Sequence, residues 1–287
     1  MKNIIILLLI SFSTASCQDF GKLSIVASFP NSMKEVSGLE TIEGSPLIWV
    51  LGDSGSEPAV YGFNPKKESF DKVITLTNVV NHDWEDLAKD RDGNLYIGDF
   101  GNNHNSRKNL AIYTLRNVSE ITETKSEVAI TNFTLEDQNS FKIKKKDRNY
   151  DIEAFFYLNE NFYLFTRNRS NNFDGVSKVY RVPAQSGNFE AKLIGTFKTC
   201  NDRKDCEVTA ATIDFSSGRI ALLTYNKVFI IDDYKDEDFL NGKIKKIKLE
   251  HTSQKESIGF KDSNTLYIAD ERNGAYGGNL YELKLDL

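Results

Sequence analysis

The chain has 287 residues, a formal charge of −5, 40% hydrophobic and 27% charged residues. That balance is globular and excludes a disordered chain, and the mildly acidic charge argues against nucleic acid as a partner. The length would hold two ordinary domains, but β-barrels and propellers run as long in one; 12 Tyr, 19 Phe and only 5 Pro suit short strands joined by polar turns.

Residues 1–16 read as a secretory signal. Lys2 supplies a positive charge, Ile4 to Ile10 is an apolar run, and small residues follow up to Ser16. The run is too short to cross a bilayer, which takes about 20 apolar residues. Thr14-Ala15-Ser16-Cys17 resembles a lipobox with Thr14 in place of the usual Leu, so Cys17 is the expected lipidation site and residues 17–21 a tether. Ordinary secretion is the alternative. Cys17-Gln18 is similar to the start of envelope lipoproteins of the Bacteroidota, which implies anchoring to the outer membrane, facing the periplasm or the surface.

Residues 22–287 are predicted to be one all-β domain. Lys22 to Phe29 is a first strand. An acidic residue opening a small or apolar strand then recurs at Glu35, Glu85, Glu153, Glu207 and Glu256, at intervals of roughly 50 residues with one longer interval. A repeat of that size with four strands per unit is a propeller blade. The second unit is the clearest. Asp86 to Lys89 is its first strand and Asp90-Arg91-Asp92-Gly93-Asn94 a hairpin turn. Leu95 to Gly98, Ala111 to Leu115 and Val128 to Leu135 complete it, with an insertion around Lys142 to Asp151. Second strands elsewhere are Leu47 to Leu51, Phe162 to Phe165, Ile220 to Leu223 and Leu266 to Ile268. The last unit has only three strands, ending with Leu280 to Leu285. Pairing with Lys22 to Phe29 closes the ring and removes an open edge. The count is five four-stranded blades, or six if the long unit hides another.

Cys200 and Cys206 bracket a polar loop and are expected to form a disulfide, since His82, His104 and His251 are too far away in sequence to complete a zinc site. Asp90 to Asn94 lacks the distal glutamate of a calcium loop and reads as a turn. Lys142 to Lys146 and Lys243 to Lys248 are basic. The second stretch alternates with apolar residues, as an outer strand with one wet face does.

In a propeller the first strand of each blade lines the central channel, and the second ends at the same face. Glu35, Glu85, Glu153, Glu207 and Glu256 therefore converge on a channel mouth, with Asp86, Asp53, Asp99, Asn102, Arg167, Tyr225 and Asp270 around them. Crowded carboxylates raise one another's pKa values unless arginines or a cation relieve them. Oxygen donors without clustered His or Cys suit Ca2+, with Glu35, Glu85, Asp86, Glu153, Glu207 and Glu256 as the metal set. The alternative is that these carboxylates bond backbone N–H groups and pin the blades. His82 and Arg167 are the candidates for catalysis, His82 as a base.

Asp83-Trp84-Glu85-Asp86-Leu87-Ala88 with Asn94 to Asn103, and Val208-Thr209-Ala210-Ala211 with Arg219 to Tyr225, resemble motifs of secreted Bacteroidota propellers. The strand-opening glutamates are similar to those of the SdiA-regulated and phytase-like propellers. The resemblance implies a calcium-binding propeller and a phosphoesterase activity. Three functions compete. The first is a monomeric, lipid-anchored binding or scaffold module for a small molecule, glycan or protein. The second is a Ca2+-dependent phosphoesterase or lactonase at the mouth. The third is a lectin using Trp49, Trp84 and Tyr225.

Overall fold

The computed structural model describes residues 19–286. The expected signal segment and Cys17 lie outside them. The regular structure of the described residues is almost entirely strand, in five antiparallel meanders of four. The first comprises β2 (Val36–Thr41), β3 (Ile48–Gly52), β4 (Ala59–Asn64) and β5 (Ser69–Leu76), with the short β9 (Lys125–Ser126) added in parallel to β5. The second comprises β6 (Trp84–Lys89), β7 (Leu95–Asp99), β8 (Leu110–Leu115) and β10 (Ala129–Leu135). The third comprises β11 (Asp151–Leu158), β12 (Asn161–Arg167), β13 (Val176–Pro183) and β14 (Gly187–Lys198). Parallel pairing of β10 with β14 fuses these two into one eight-stranded sheet. The fourth holds β15 (Val208–Ile213), β16 (Ile220–Thr224), β17 (Lys227–Asp232) and β18 (Lys243–Lys248). The fifth holds β19 (Lys255–Asp262), β20 (Thr265–Asp270), β21 (Asn279–Lys284) and, as its outer strand, the N-terminal β1 (Ser24–Ser28). β1 pairs antiparallel with β21, Ser24 opposite Glu282 and Ser28 opposite Asn279.

The inner strands β2, β6, β11, β15 and β19 pack side by side in that order, and β19 returns to β2, so the arrangement is a propeller-like ring. Position in the ring explains composition. An inner strand is covered on both faces, so small and apolar residues run on without alternation, as in the fully buried β15, Val-Thr-Ala-Ala-Thr-Ile. The outer β14 wets one face and alternates along its twelve residues. The core is divided accordingly into five wedges, each between consecutive meanders. Trp49, Leu51 and Val60 meet Trp84, Leu87 and Ile97 in one. Phe156, Tyr163 and Phe165 meet Leu222, Phe229 and Phe239 in another. Burying each such side chain contributes about 1.5–3 kcal/mol.

β12 and β20 run three residues longer than their apolar runs suggested, β3 and β21 keep the expected length one residue displaced, and β1 and β10 are shorter than expected by three residues and one. The Asp90 turn is a turn: its carboxylate accepts the backbone N–H groups of Asp92 and Asn94 at 2.9 and 3.0 Å, and Gly93 takes a φ of 82° that only glycine adopts freely. Sequence gave no sign of the parallel β10–β14 and β5–β9 pairings. They are contacts between outer edges far apart in the chain, with no periodicity of their own.

Candidate functional site

Each inner strand enters the ring through a slip of register against its second strand, one residue inside its start, or two in β11. The slipped residues are Ser37, Glu85, Glu153, Thr209 and Glu256. Two residues earlier stand Glu35, Asp83, Asp151, Glu207 and Gln254. The five glutamates expected to form one ring therefore occupy two registers. Glu85, Glu153 and Glu256 sit on the bulge. Glu35 and Glu207 are the counterparts of Asp83 and Asp151. A bulge inserts a residue without altering hydrophobic pattern, so spacing alone aligned the wrong carboxylates.

Where the bulge holds no glutamate, a hydroxyl pins neighbouring meanders. Ser37 Oγ donates to the Trp84 carbonyl at 2.9 Å, and Thr209 Oγ1 to the Lys255 carbonyl at 2.7 Å. Asp86 pins more deeply. It is fully buried, and its carboxylate accepts the backbone N–H groups of Leu87, Phe155 and Ala211, which ties β6 to β11 and β15 one layer below the mouth. Burial pushes its pKa well above the ordinary value, and these three donors oppose the rise.

Arginine divides the mouth into two unlike halves. On one side Arg167, at the end of β12, is buried among carboxylates. Its guanidinium donates to Glu207 at 2.9 Å, Glu153 at 3.1 Å, Glu256 at 3.3 Å and the Tyr225 hydroxyl at 2.5 Å. Arg169 donates to Asp151 and Glu153 at 2.5 and 2.6 Å. Arg203 donates to Glu207 at 2.7 Å. Arg203 rides on the one-turn helix α1 (Arg203–Cys206), whose loop is closed by the Cys200–Cys206 disulfide with Cα atoms 5.6 Å apart. Burial would raise the Glu153 pKa, but Arg167 and Arg169 outweigh it and hold the group below its ordinary value.

The other half is different. Asp53, at the end of β3, lies with Asp83 and Glu85 so that one oxygen from each falls within 4.8 Å of the others. None of the three forms an ion pair among the described residues; the neighbouring arginine, Arg107, pairs with Asp99 at 2.7 Å and bonds the Gly101 carbonyl, and its charge partly offsets the rise of Asp83. Burial, then the charges of Glu153 and Asp53, push Glu85 well up. Burial also raises Asp83 and lifts Asp53 to about 6. Beside them burial and the charge of Glu256 raise Glu271 to about 9. Glu256 itself is lifted to about 7 by burial against the pull of Arg167, and its Oε2 is buried without a hydrogen-bond partner. Gly101 lies against the cluster: a Cβ there would run into Glu85 Oε1 and Asp83 Oδ2. An all-oxygen cluster short of positive charge is suited to a hard divalent cation.

The remaining expected residues are placed as follows. Glu35 is exposed at the rim, close enough to raise the pKa values of Asp53 and Glu271. Tyr225 donates to Glu256 at 2.9 Å. Asp99 and Asp270 are buried, and each accepts a tyrosine hydroxyl from the third strand of its own meander, Tyr113 and Tyr281, both at 2.8 Å. Asn102 caps a loop, its side-chain oxygen accepting from the Ser106 and Arg107 N–H groups. His82 is exposed and lines a cleft of about 430 Å³ with Asn78, Val80, Asn109 and Tyr113. Trp49 and Trp84 are core residues, 1% and 0% exposed, with no face for a sugar. Asp83, Asp151 and Gly101 are not among the residues that the sequence pattern places at the mouth. The available signal was the Asp-x-Glu doublet at Asp83/Glu85 and Asp151/Glu153, since alternate strand residues share a face.

No protein-family model matches the chain, and no curated protein matches it in sequence. Among solved structures it is similar to the PQQ-bound form of an aldose sugar dehydrogenase from Streptomyces coelicolor, at 10% identity and a TM-score of 0.45, over 92% of this chain and 98% of the other.

Proposed function

We propose that this chain is a lipid-anchored, five-bladed β-propeller of the cell envelope. Its channel mouth binds one divalent cation, with Ca2+ the best fit, and presents it to a polar ligand. The five meanders are the blades, and β1 completes the last. One observation carries the reading: Asp53, Asp83 and Glu85 converge without an ion pair, Arg107 acting on Asp83 through its charge while paired with Asp99, whereas the carboxylates across the mouth are bonded directly by arginines. Three carboxylates supply up to six oxygens, within the 6–8 that Ca2+ takes, and no sulfur or imidazole favours a softer metal. Asp53, Asp83 and Glu85 would hold the ion and Gly101 leaves room for them. The cation would supply charge neutralisation and a Lewis-acidic contact for the ligand. Asp86 belongs to the frame in this reading, and Glu153, Glu207 and Glu256 to the arginine cluster.

A hydrolytic role at the same mouth is favoured by Glu271 alone. Burial and the charge of Glu256 move its pKa upward, the direction that a group protonating a leaving oxygen requires.

Calorimetric titration of the EDTA-treated chain with CaCl2 tests the main reading. The expected result is one site per chain, weakened at least tenfold by Glu85→Gln. Absence of any binding heat for Ca2+, Mg2+ and Mn2+ would remove the proposal.

A further inference from the structure

The basic strand β18 takes no part in the mouth, yet its position is specific. It is the outermost strand of its sheet, with no strand paired to its far edge among the described residues. Its sequence is Lys-Ile-Lys-Lys-Ile-Lys, and every residue but Ile247 is exposed, Ile244 to 50%. Lys243 pairs with Asp233 and Lys245 bonds the Asp286 carbonyl, but Lys246 and Lys248 have no carboxylate partner among the described residues. The chain enters the fold beside the end of this strand. The Lys22 backbone N–H donates to the carbonyl of Leu249, one residue past β18, at 2.9 Å. The Phe20 ring packs 5.3 Å from His251 and 5.7 Å from Tyr281.

We propose that β18 is the membrane-facing surface of the protein and lies on anionic phospholipid headgroups. The inference rests on the reading of Cys17 as a lipidated residue. Cys17 stands two residues before Asp19, and two residues span at most about 7 Å. A lipid there holds the surface around Asp19 against the bilayer, with no linker to let the domain swing away. The end of β18 is that surface. From it the strand extends about 20 Å at ~3.3 Å per residue, and alternate side chains take opposite faces, Ile244, Lys246 and Lys248 one and Lys243 and Lys245 the other, so the open strand edge laid on the leaflet brings both sets to it. Lysines held at an anionic leaflet each contribute about fivefold to partitioning, and salt screens the effect. Ile244, exposed between them, is placed to enter the boundary between headgroups and acyl chains. The same lysines guard the open strand edge against pairing with another chain.

The test uses the full lipidated chain, purified in detergent and reconstituted in phosphatidylethanolamine vesicles containing either phosphatidylglycerol or phosphatidylcholine. A water-soluble amine-acylating reagent is applied and the digest read by mass. Lys246 and Lys248 are expected to react at least fivefold more slowly on phosphatidylglycerol vesicles than in detergent. That protection should fade in 0.5 M salt and be absent on phosphatidylcholine, while the exposed Lys66 reacts equally throughout. The N-terminal peptide of the same digest reports acylation. Acylated Cys17 with unprotected lysines overturns the surface assignment and leaves the anchor. Unmodified Cys17 overturns both. Protection already present in detergent overturns the proposal in favour of a protein or a second copy covering the strand.

Discussion

Arg167 shows how much one side chain decides at this mouth. Its guanidinium touches three glutamates from three different meanders, and all four groups are buried. Removing one partner from such a cluster leaves uncompensated charge in a poor solvent. Arg167→Met is expected to destabilise the fold by about 3–5 kcal/mol in urea unfolding at pH 7, with much of the loss recovered near pH 4, where the glutamates take up protons. A loss below ~1 kcal/mol would show that solvent screens these charges. Glu85 stands on the other side and should behave oppositely. Without cation it is an unrelieved buried carboxylate, so Glu85→Gln is expected to raise the melting temperature in EDTA while abolishing the rise that Ca2+ causes. Thermal melts of both variants in EDTA and in CaCl2 measure this. A Glu85→Gln chain that melts lower in EDTA would mean that Glu85 stabilises the frame through contacts of its own.

At the scale of strands, the ring depends on β1. It donates to and accepts from β21, and its Ala27 is buried beside Phe29 and Leu280 in the wedge between the last and first meanders. Deleting residues 19–28 would leave β21 as a bare edge and open that wedge. The expected result is insoluble chain or a non-cooperative melt, checked by solubility and circular dichroism. A soluble, cooperatively melting deletion would show that the ring holds with a three-stranded last meander. The strands were legible in the sequence because each follows from local chemistry: apolar runs such as Leu222-Leu223, turns such as Asp90 to Asn94, and an orphan first strand opposite a three-stranded last unit. The mouth was legible only in part. That carboxylates gather there follows from which strand lines a channel. Which ones gather depends on the bulges at Glu85, Glu153 and Glu256, and a bulge leaves no trace in hydrophobic pattern. The division into a matched and an unmatched half depends on where Arg167 and Arg169 reach, a matter of three-dimensional placement.

For the whole molecule, the raised carboxylates make stability a function of pH with a definite sign. Asp53, Glu256 and Glu271 have folded-state pKa values of about 6, 7 and 9, above those of an unfolded chain. The folded state therefore binds more protons than the unfolded state between about pH 4 and 9, so stability falls as pH rises through that window. A bound divalent cation takes the place of the protons on Asp53, Asp83 and Glu85, all three raised by burial, and offsets their share of the fall, since metal and proton compete for the same oxygens. The most direct test of the central claim is the melting temperature from pH 5 to pH 9, in EDTA and in excess CaCl2. The expected result is a decline with pH in EDTA and a calcium-induced rise that is small at pH 5, grows to several degrees at pH 8, and disappears in Glu85→Gln. Curves that coincide with and without calcium at every pH would contradict it.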